Sequence, residues 1–162
     1  MKLFDDALLD GLVAQAKAAP RLRANHNVHV HLDEPVQRLF IAIEPGSYVR
    51  PHRHPEAGKW EFFLVLRGRI DALLFDAGGT LLQREALTPG GPVQGFEIPP
   101  NTWHCVLALE SGSVFFEVKQ GPYAPLGDKD FAAWAPPEGA AGSAEMYDWL
   151  VRARPGDSPP DL

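Results

Sequence analysis

The chain has 162 residues, 45% of them hydrophobic and 22% charged, which is the composition of one globular domain with a core large enough to need no disulfide staple. With 15 Lys and Arg against 21 Asp and Glu, the formal charge is −6, which speaks against non-specific binding to nucleic acid or to an anionic membrane. No apolar stretch approaches the ~20 residues that cross a bilayer, the N-terminus lacks the pattern of a secretory signal, and a single cysteine, Cys105, suits a reducing compartment, so a cytoplasmic location is expected.

Leu8, Leu9, Leu12, Val13 and Ala16 recur at helical spacing behind the acidic pair Asp5 and Asp6, and Pro20 stops the run. This predicts an amphipathic helix. From Val28 onward, short alternating runs rich in β-branched and aromatic residues predict strands over 28–32, 36–43, 61–67, 70–75, 80–87, 94–98, 104–109 and 113–119, the texture of an all-β sandwich or barrel. Asp76-Ala-Gly78-Gly79 is a hairpin turn signal. After Gly121 the composition turns to Pro, Gly and Ala, a covering arm, and Ser143 to Leu150 predicts a short helix capped by Ser143 with a Met146, Trp149, Leu150 stripe. The division expected is a helical segment over 1–24, the β barrel over 25–120, the arm and short helix over 121–153, and a mobile tail over 154–162.

His52 and His54 leave one face of an extended segment about 7 Å apart, close enough to share an ion with slight bending. Glu61 opens the next strand, and His104 lies on a later one. Three neutral imidazoles and a carboxylate suit one divalent transition ion, Zn, Fe, Mn, Ni or Co, far better than Ca or Mg. Glu56 is the rival carboxylate, nearer to His54 but inside a Pro-Glu-Ala-Gly loop.

These residues resemble the two motifs of the cupin superfamily. Gly46, His52, His54, Glu61 and Gly68 fit the first, with the His54 to Glu61 spacing longer than usual; Pro99, Asn101 and His104 fit the second, with Asn101 in the place of a Gly and Ala108 in the place of a trailing Asn. Asn tolerates positive φ, so that turn stays plausible. More closely, the segments Arg21 to Asn25, Pro35 to Arg38, Glu117 to Tyr123 and Asp128 to Pro136, with both metal motifs, resemble the WbuC family of cupin-fold metalloproteins. The resemblance implies a single cupin, a jelly-roll-like β-barrel with an N-terminal and a short C-terminal helix, holding a divalent metal through His52, His54, Glu61 and His104. Members of that family occur in gene clusters for O-antigen synthesis, a surface polysaccharide.

Other positions carry two readings each. Glu117 and Lys119 share a strand face with Ser113 and Phe115; pointing inward they are a catalytic acid/base pair, and pointing outward a solvated ion pair. Arg38 is either a substrate clamp for carboxylate or phosphate or a rim salt bridge. Tyr48, Trp103 and Tyr123 either stack on a sugar ring or pack with a satisfied polar tip. His26, His29 and His31 precede the barrel with no suitable carboxylate beside them, which favours structural hydrogen bonding over chelation, and Asn25 and Asn27 donate to backbone at the start of that stretch. Cys105, opposite in alternation to His104, reads as a small buried side chain.

Three functional readings follow: a metal-dependent isomerase or epimerase of a small, anionic, hydroxyl-rich sugar or sugar-nucleotide; a non-catalytic small-ligand binding module; and an iron-dependent dioxygenase. A small-molecule ligand is expected in each. A homodimer is expected as well, because exposed strand edges need covering.

Overall fold

Alternation along the strands, with a second apolar face to cover on each sheet, organises the computed structural model, which describes residues 1–162. Helix α1 (Asp6–Ala18) leads into strands β1 (Arg23–Asn27), β2 (Val36–Ile43), β3 (Glu61–Arg67), β4 (Ile70–Phe75), β5 (Leu81–Leu87), β6 (Gly95–Ile98), β7 (Trp103–Ala108) and β8 (Ser113–Gln120), and helix α2 (Ser143–Arg152) follows the arm. The strands form a five-stranded antiparallel sheet, β1-β2-β8-β3-β6, and a three-stranded one, β5-β4-β7. The all-β architecture with a helix near each end is the one expected.

Between the sheets lies a core of Ile43, Phe63, Val65, Ile70, Leu87 and Phe115 with their neighbours. On the back of the larger sheet, Phe40, Ala42 and Val114 meet Leu12 and Ala16 of α1. On the back of the smaller sheet, Leu73, Cys105 and Leu107 meet Met146 and Leu150 of α2. Each sheet therefore buries both faces, one against the other sheet and one against a helix. Trp134, from the arm, stacks near Phe75 and Trp149 with ring centroids at 5.1 and 6.4 Å.

The local signals read from the sequence hold in several places. Asp5 caps α1 by accepting from the Leu8 N–H at 3.0 Å. Asp76 Oδ1 accepts from Gly78 and Thr80 N–H groups at 2.9 and 2.8 Å and closes the β4–β5 hairpin. Asn101 takes φ 62°, the left-handed turn for which Gly or Asn is needed. No helix is long and apolar enough to cross a membrane.

Three expectations need correcting. Residues 28–32 are not a strand: Glu34 Oε1 takes the N–H groups of Val30 and His31 at 2.6 and 3.1 Å, so a side chain satisfies donors that a ladder would otherwise use. The first strand is instead the polar Arg23–Asn27, paired with β2 at the sheet edge. Helix α2 is not capped by Ser143, which is its first residue; Gly142 precedes it at φ 82°. The last residues, expected as a mobile tail, bond to the start of β5, where Leu81 donates to Asp157 O at 2.9 Å and Gly156 donates to Leu81 O at 2.8 Å.

Leu150 is fully buried at the centre of the α2 contact. Leu150→Ala should cost about 2–5 kcal/mol of stability, measured as a lower urea midpoint, while metal content of the folded protein stays as in the parent. Equal midpoints for variant and parent would mean that α2 does not seal this face.

Candidate metal centre

Four side chains from three parts of the chain converge at one end of the barrel. The segment Pro51–His54 is joined to β7 by reciprocal backbone bonds, His52 N–H to His104 O at 3.0 Å and His104 N–H to His52 O at 2.9 Å. It is a single bridge rather than a strand, and Asn101 N–H closes it from the other end on His54 O at 2.7 Å. From the arm, the Ala132 N–H reaches Pro51 O, while the Arg53 N–H reaches Asp130 O, both at 2.9 Å. Glu61, at the start of β3, projects toward the same point. The ligand atoms of His52, His54, Glu61 and His104 all lie within 4.8 Å of one another.

Hydrogen bonds on the far side of two rings fix which nitrogen faces inward. His52 Nδ1 is 3.0 Å from Arg50 O, and His104 Nδ1 is 2.8 Å from Thr102 O. A carbonyl can only accept, so both Nδ1 atoms carry the proton and each neutral ring offers the Nε2 lone pair. His104 Nε2 then faces Glu61 Oε2 at 2.9 Å, and His54 Nε2 faces Glu61 Oε1 at 3.2 Å. A lone pair set against a carboxylate oxygen at that distance repels it unless a cation lies between them. His54 Nε2 and Glu61 Oε2 are also buried without a hydrogen-bond partner. An imidazole-rich donor set with orphaned inward atoms fits a divalent transition ion.

The neighbouring charges form one row across three strands. Gln37 on β2 pairs in register with Lys119 on β8, and Lys119 with Glu61 on β3. Glu117, one step along on the same face, is buried. Lys119 Nζ lies 2.5 Å from Glu117 Oε1 and 3.4 Å from Glu61 Oε1. Burial works to raise the Glu61 carboxyl, but without a metal, protons on the inward nitrogens of His104 and His54, with Lys119 beside them, outweigh it and hold it well below the usual carboxylate range, positive charge in the place a bound cation would take. Burial raises Glu117 above that range, with Lys119 opposing. Burial also opposes the charge on Lys119, yet the two carboxylates keep its ammonium above the ordinary value. Burial, together with His104, lowers His52 to about 3.

Two cavities meet at this cluster. An inner one of about 140 Å³ between the sheets is walled by Ile41, Phe63, Val106 and Phe115 and bounded by His52, Glu117 and Lys119. An outer cleft of about 270 Å³ opens from His52, His54, Glu61 and Lys119 to the arm residues Tyr123 and Phe131. Glu117 and Lys119 thus point toward the cavity rather than to solvent. Glu56 lies at the outer rim and outside the ligand cluster.

The three substrate-binding candidates are corrected by strand alternation and packing. Arg38 lies on the α1 side of β2 with Phe40 and Ala42, and pairs with Glu34 at 2.8 Å. Tyr48 is buried under the arm and donates to Pro136 O at 2.9 Å. Trp103, adjacent to His104, faces the opposite side of β7, where the Arg53 guanidinium sits 4.5 Å from its ring centre. Tyr123 is the aromatic at the mouth, half-exposed; its place depends on the arm folding back, which strand patterning does not reveal. Cys105 is buried behind β7, where the surrounding apolar groups push its thiol well up. The histidines at 26, 29 and 31 do not converge: His26 packs near Phe40, His29 is tied to the Arg38 backbone, and His31 is exposed.

A family model described as a domain of unknown function, DUF6016, matches residues 4–87. The chain belongs to the DUF6016 family. No curated protein sequence matches it. Among solved structures, this DUF6016 chain is similar to KdgF from Halomonas sp., with a TM-score of 0.51 and 20% identity over 65% of this chain and 84% of that one. It is also similar to a conserved protein of unknown function from Streptococcus pyogenes, at 0.50 and 11% over 76% and 90%, and to an oxalate oxidase in complex with the substrate analogue glycolate, at 0.50 and 20% over 66% and 56%. At such identities the likeness is one of fold, and that fold is a single cupin domain, as the two motifs implied.

Glu61→Gln and His104→Ala should each remove most of the bound metal, and Glu56→Gln should leave it nearly unchanged, as read by elemental analysis of purified protein. Full occupancy in both His52→Ala and His104→Ala would overturn the ligand set. A pH dependence follows from His52. Its ring stays neutral in the fold down to about 3, whereas the unfolded chain protonates it near 6.5. The unfolded state therefore binds more protons between these values, and metal-free protein should lose stability as pH falls from about 6.5 toward 3. Denaturant titrations across that window should show a shallower loss in His52→Gln than in the parent.

Proposed function

We propose that this chain is a metal-dependent enzyme that moves a proton on a small, hydroxyl-bearing carboxylic acid, the observation that carries this being the cavity-facing Glu117–Lys119 pair, with Glu117 buried and Lys119 in register with Glu61. His52, His54, Glu61 and His104 would hold a divalent ion, which would supply a Lewis acid for an oxygen of the bound molecule. Lys119 attracts a negatively charged group into the cleft and holds Glu117 in place at 2.5 Å. Glu117, raised by burial, is suited to take up a proton and return it, since a general acid/base works best with a pKa near the working pH. The apolar walls of the inner cavity keep water from competing for that proton.

Several features support this reading over a purely structural metal. A buried acid beside a partly buried ammonium is costly to keep without a task or a partner. Here each is the other's partner and both face the cavity. The resemblance to the WbuC family supports a sugar-derived acid and a place in surface-polysaccharide synthesis, and the glycolate bound in the similarly folded oxalate oxidase is itself a small hydroxy acid.

The test is solvent exchange. Metal-loaded protein incubated with a panel of hydroxy and sugar acids in D2O should incorporate deuterium beside the carboxylate of at least one, followed by proton NMR. Glu117→Gln should keep its metal and lower the exchange rate roughly 10²- to 10⁴-fold. Unchanged exchange in Glu117→Gln, or none in the loaded parent across the panel, would leave a ligand-binding module as the better account.

A further inference from the structure

On the far side of Lys119 from the metal residues lies a third cavity, of about 330 Å³, walled by Asn25, Asn27, His29 and Leu32 and sharing Gln37, Lys119 and Tyr123 with the outer cleft. Asn25 and Asn27 stand on β1 in register with Ile41 and Leu39 of β2, and Leu39 is in register with Glu117. They therefore continue the face of the sheet that carries Glu117 and Lys119. No carboxylate lines this cavity.

His29 is the informative residue. It is 5% exposed, and its Nδ1 lies 3.0 Å from both the Arg38 backbone N–H and the Arg38 carbonyl oxygen, where β1 ends. Both tautomers of the neutral ring are served at Nδ1, so Nε2 is left to donate in one and to accept in the other. That Nε2 is buried and has no partner, a polar atom that costs free energy until a ligand group reaches it. Gln37 spends both Nε2 protons on Leu32 O and Glu34 O at 3.1 and 2.9 Å, so its amide oxygen is what remains for a ligand. Asn25 Nδ2 donates to Asn27 Oδ1 at 2.8 Å, which aligns the two amides and leaves the Asn27 amide protons and Asn25 Oδ1 unspent.

We infer that this cavity binds the hydroxyl-rich part of the ligand, with the carboxylate end toward Lys119 and the metal residues. Neutral amides able to donate and accept, an unpartnered imidazole nitrogen, and the ring of Tyr123 beside Leu32 match a polyol or sugar ring, whose hydroxyls exchange hydrogen bonds in both directions and whose C–H face is apolar. The inference rests on the proposed reading of the metal site and names what that reading lacks: the groups that distinguish a sugar acid from a shorter hydroxy acid.

The test compares D-glucuronate, long enough to span both cavities, with glycolate, which reaches only one. Calorimetry on metal-loaded protein should give glucuronate an affinity at least roughly tenfold above that of glycolate, and glucuronate alone should shift the Asn25 and Asn27 side-chain amide signals in NMR. Asn25→Ala/Asn27→Ala removes exposed amides, and His29→Asn keeps an acceptor for the Arg38 N–H while deleting Nε2. Each should lose the glucuronate advantage with glycolate affinity and thermal midpoint close to those of the parent. Glucuronate binding indifferent to both variants, or without amide shifts, would overturn the sugar subsite and leave the metal-site reading standing. Failure of both acids to bind the loaded parent would overturn the two together.

Discussion

A buried carboxylate is the constraint on which this structure turns. Glu61 is 4% exposed, and an ionised carboxylate in such a place requires positive charge or hydrogen bonds on every side that water has left. Lys119 supplies one side through the register of β3 with β8. His54 and His104 close the other, and since His104 turns a lone pair rather than a proton toward Glu61, that side asks for a cation. Lys119 in turn is too deeply placed to stand against Glu61 alone, and Glu117 completes its environment. One buried charge thus orders a chain of three residues and two rings.

That arrangement holds because the residues bearing it are tied by backbone rather than by side chains. His52 and His104 exchange main-chain bonds, so the positions of their rings follow from a fixed spacing between two segments. Glu61, Glu117 and Lys119 are placed by ladder register on the larger sheet, whose opposite face is sealed by α1. The smaller sheet, which carries His104, is sealed by α2 and the arm. Burial on both faces makes the sheets stiff enough to hold unlike groups at contact distance.

The sequence discloses what has short range and a period. The strands, the hairpin at Asp76, the Asn101 turn and the four converging ligands each carry a local mark, and choosing Glu61 over Glu56 needs only the start of a strand. Alternation also groups Glu117 with Lys119 but cannot say which face is inside. Arg38 shows the limit: its neighbours Phe40 and Ala42 are as apolar as those on the cavity side, because α1 covers them. Tyr48 and Trp103 fail for the same reason, being next to site residues in sequence and behind the sheet in space. Strand 28–32 failed because a single side chain, Glu34, captured two backbone donors.

The arm from Pro122 to Pro136 performs two unlike tasks within a few residues. Asp130 and Ala132 brace the histidine segment through main-chain bonds, whereas Tyr123 to Leu126 form the lip of the outer cleft and touch none of the four ligands through a hydrogen bond. Variation in the lip alters which molecules fit, without disturbing the bracing behind it. Sequence divergence among relatives should therefore be tolerated most readily in this short stretch, where the shape of the cleft can change at little risk to the four converging ligands.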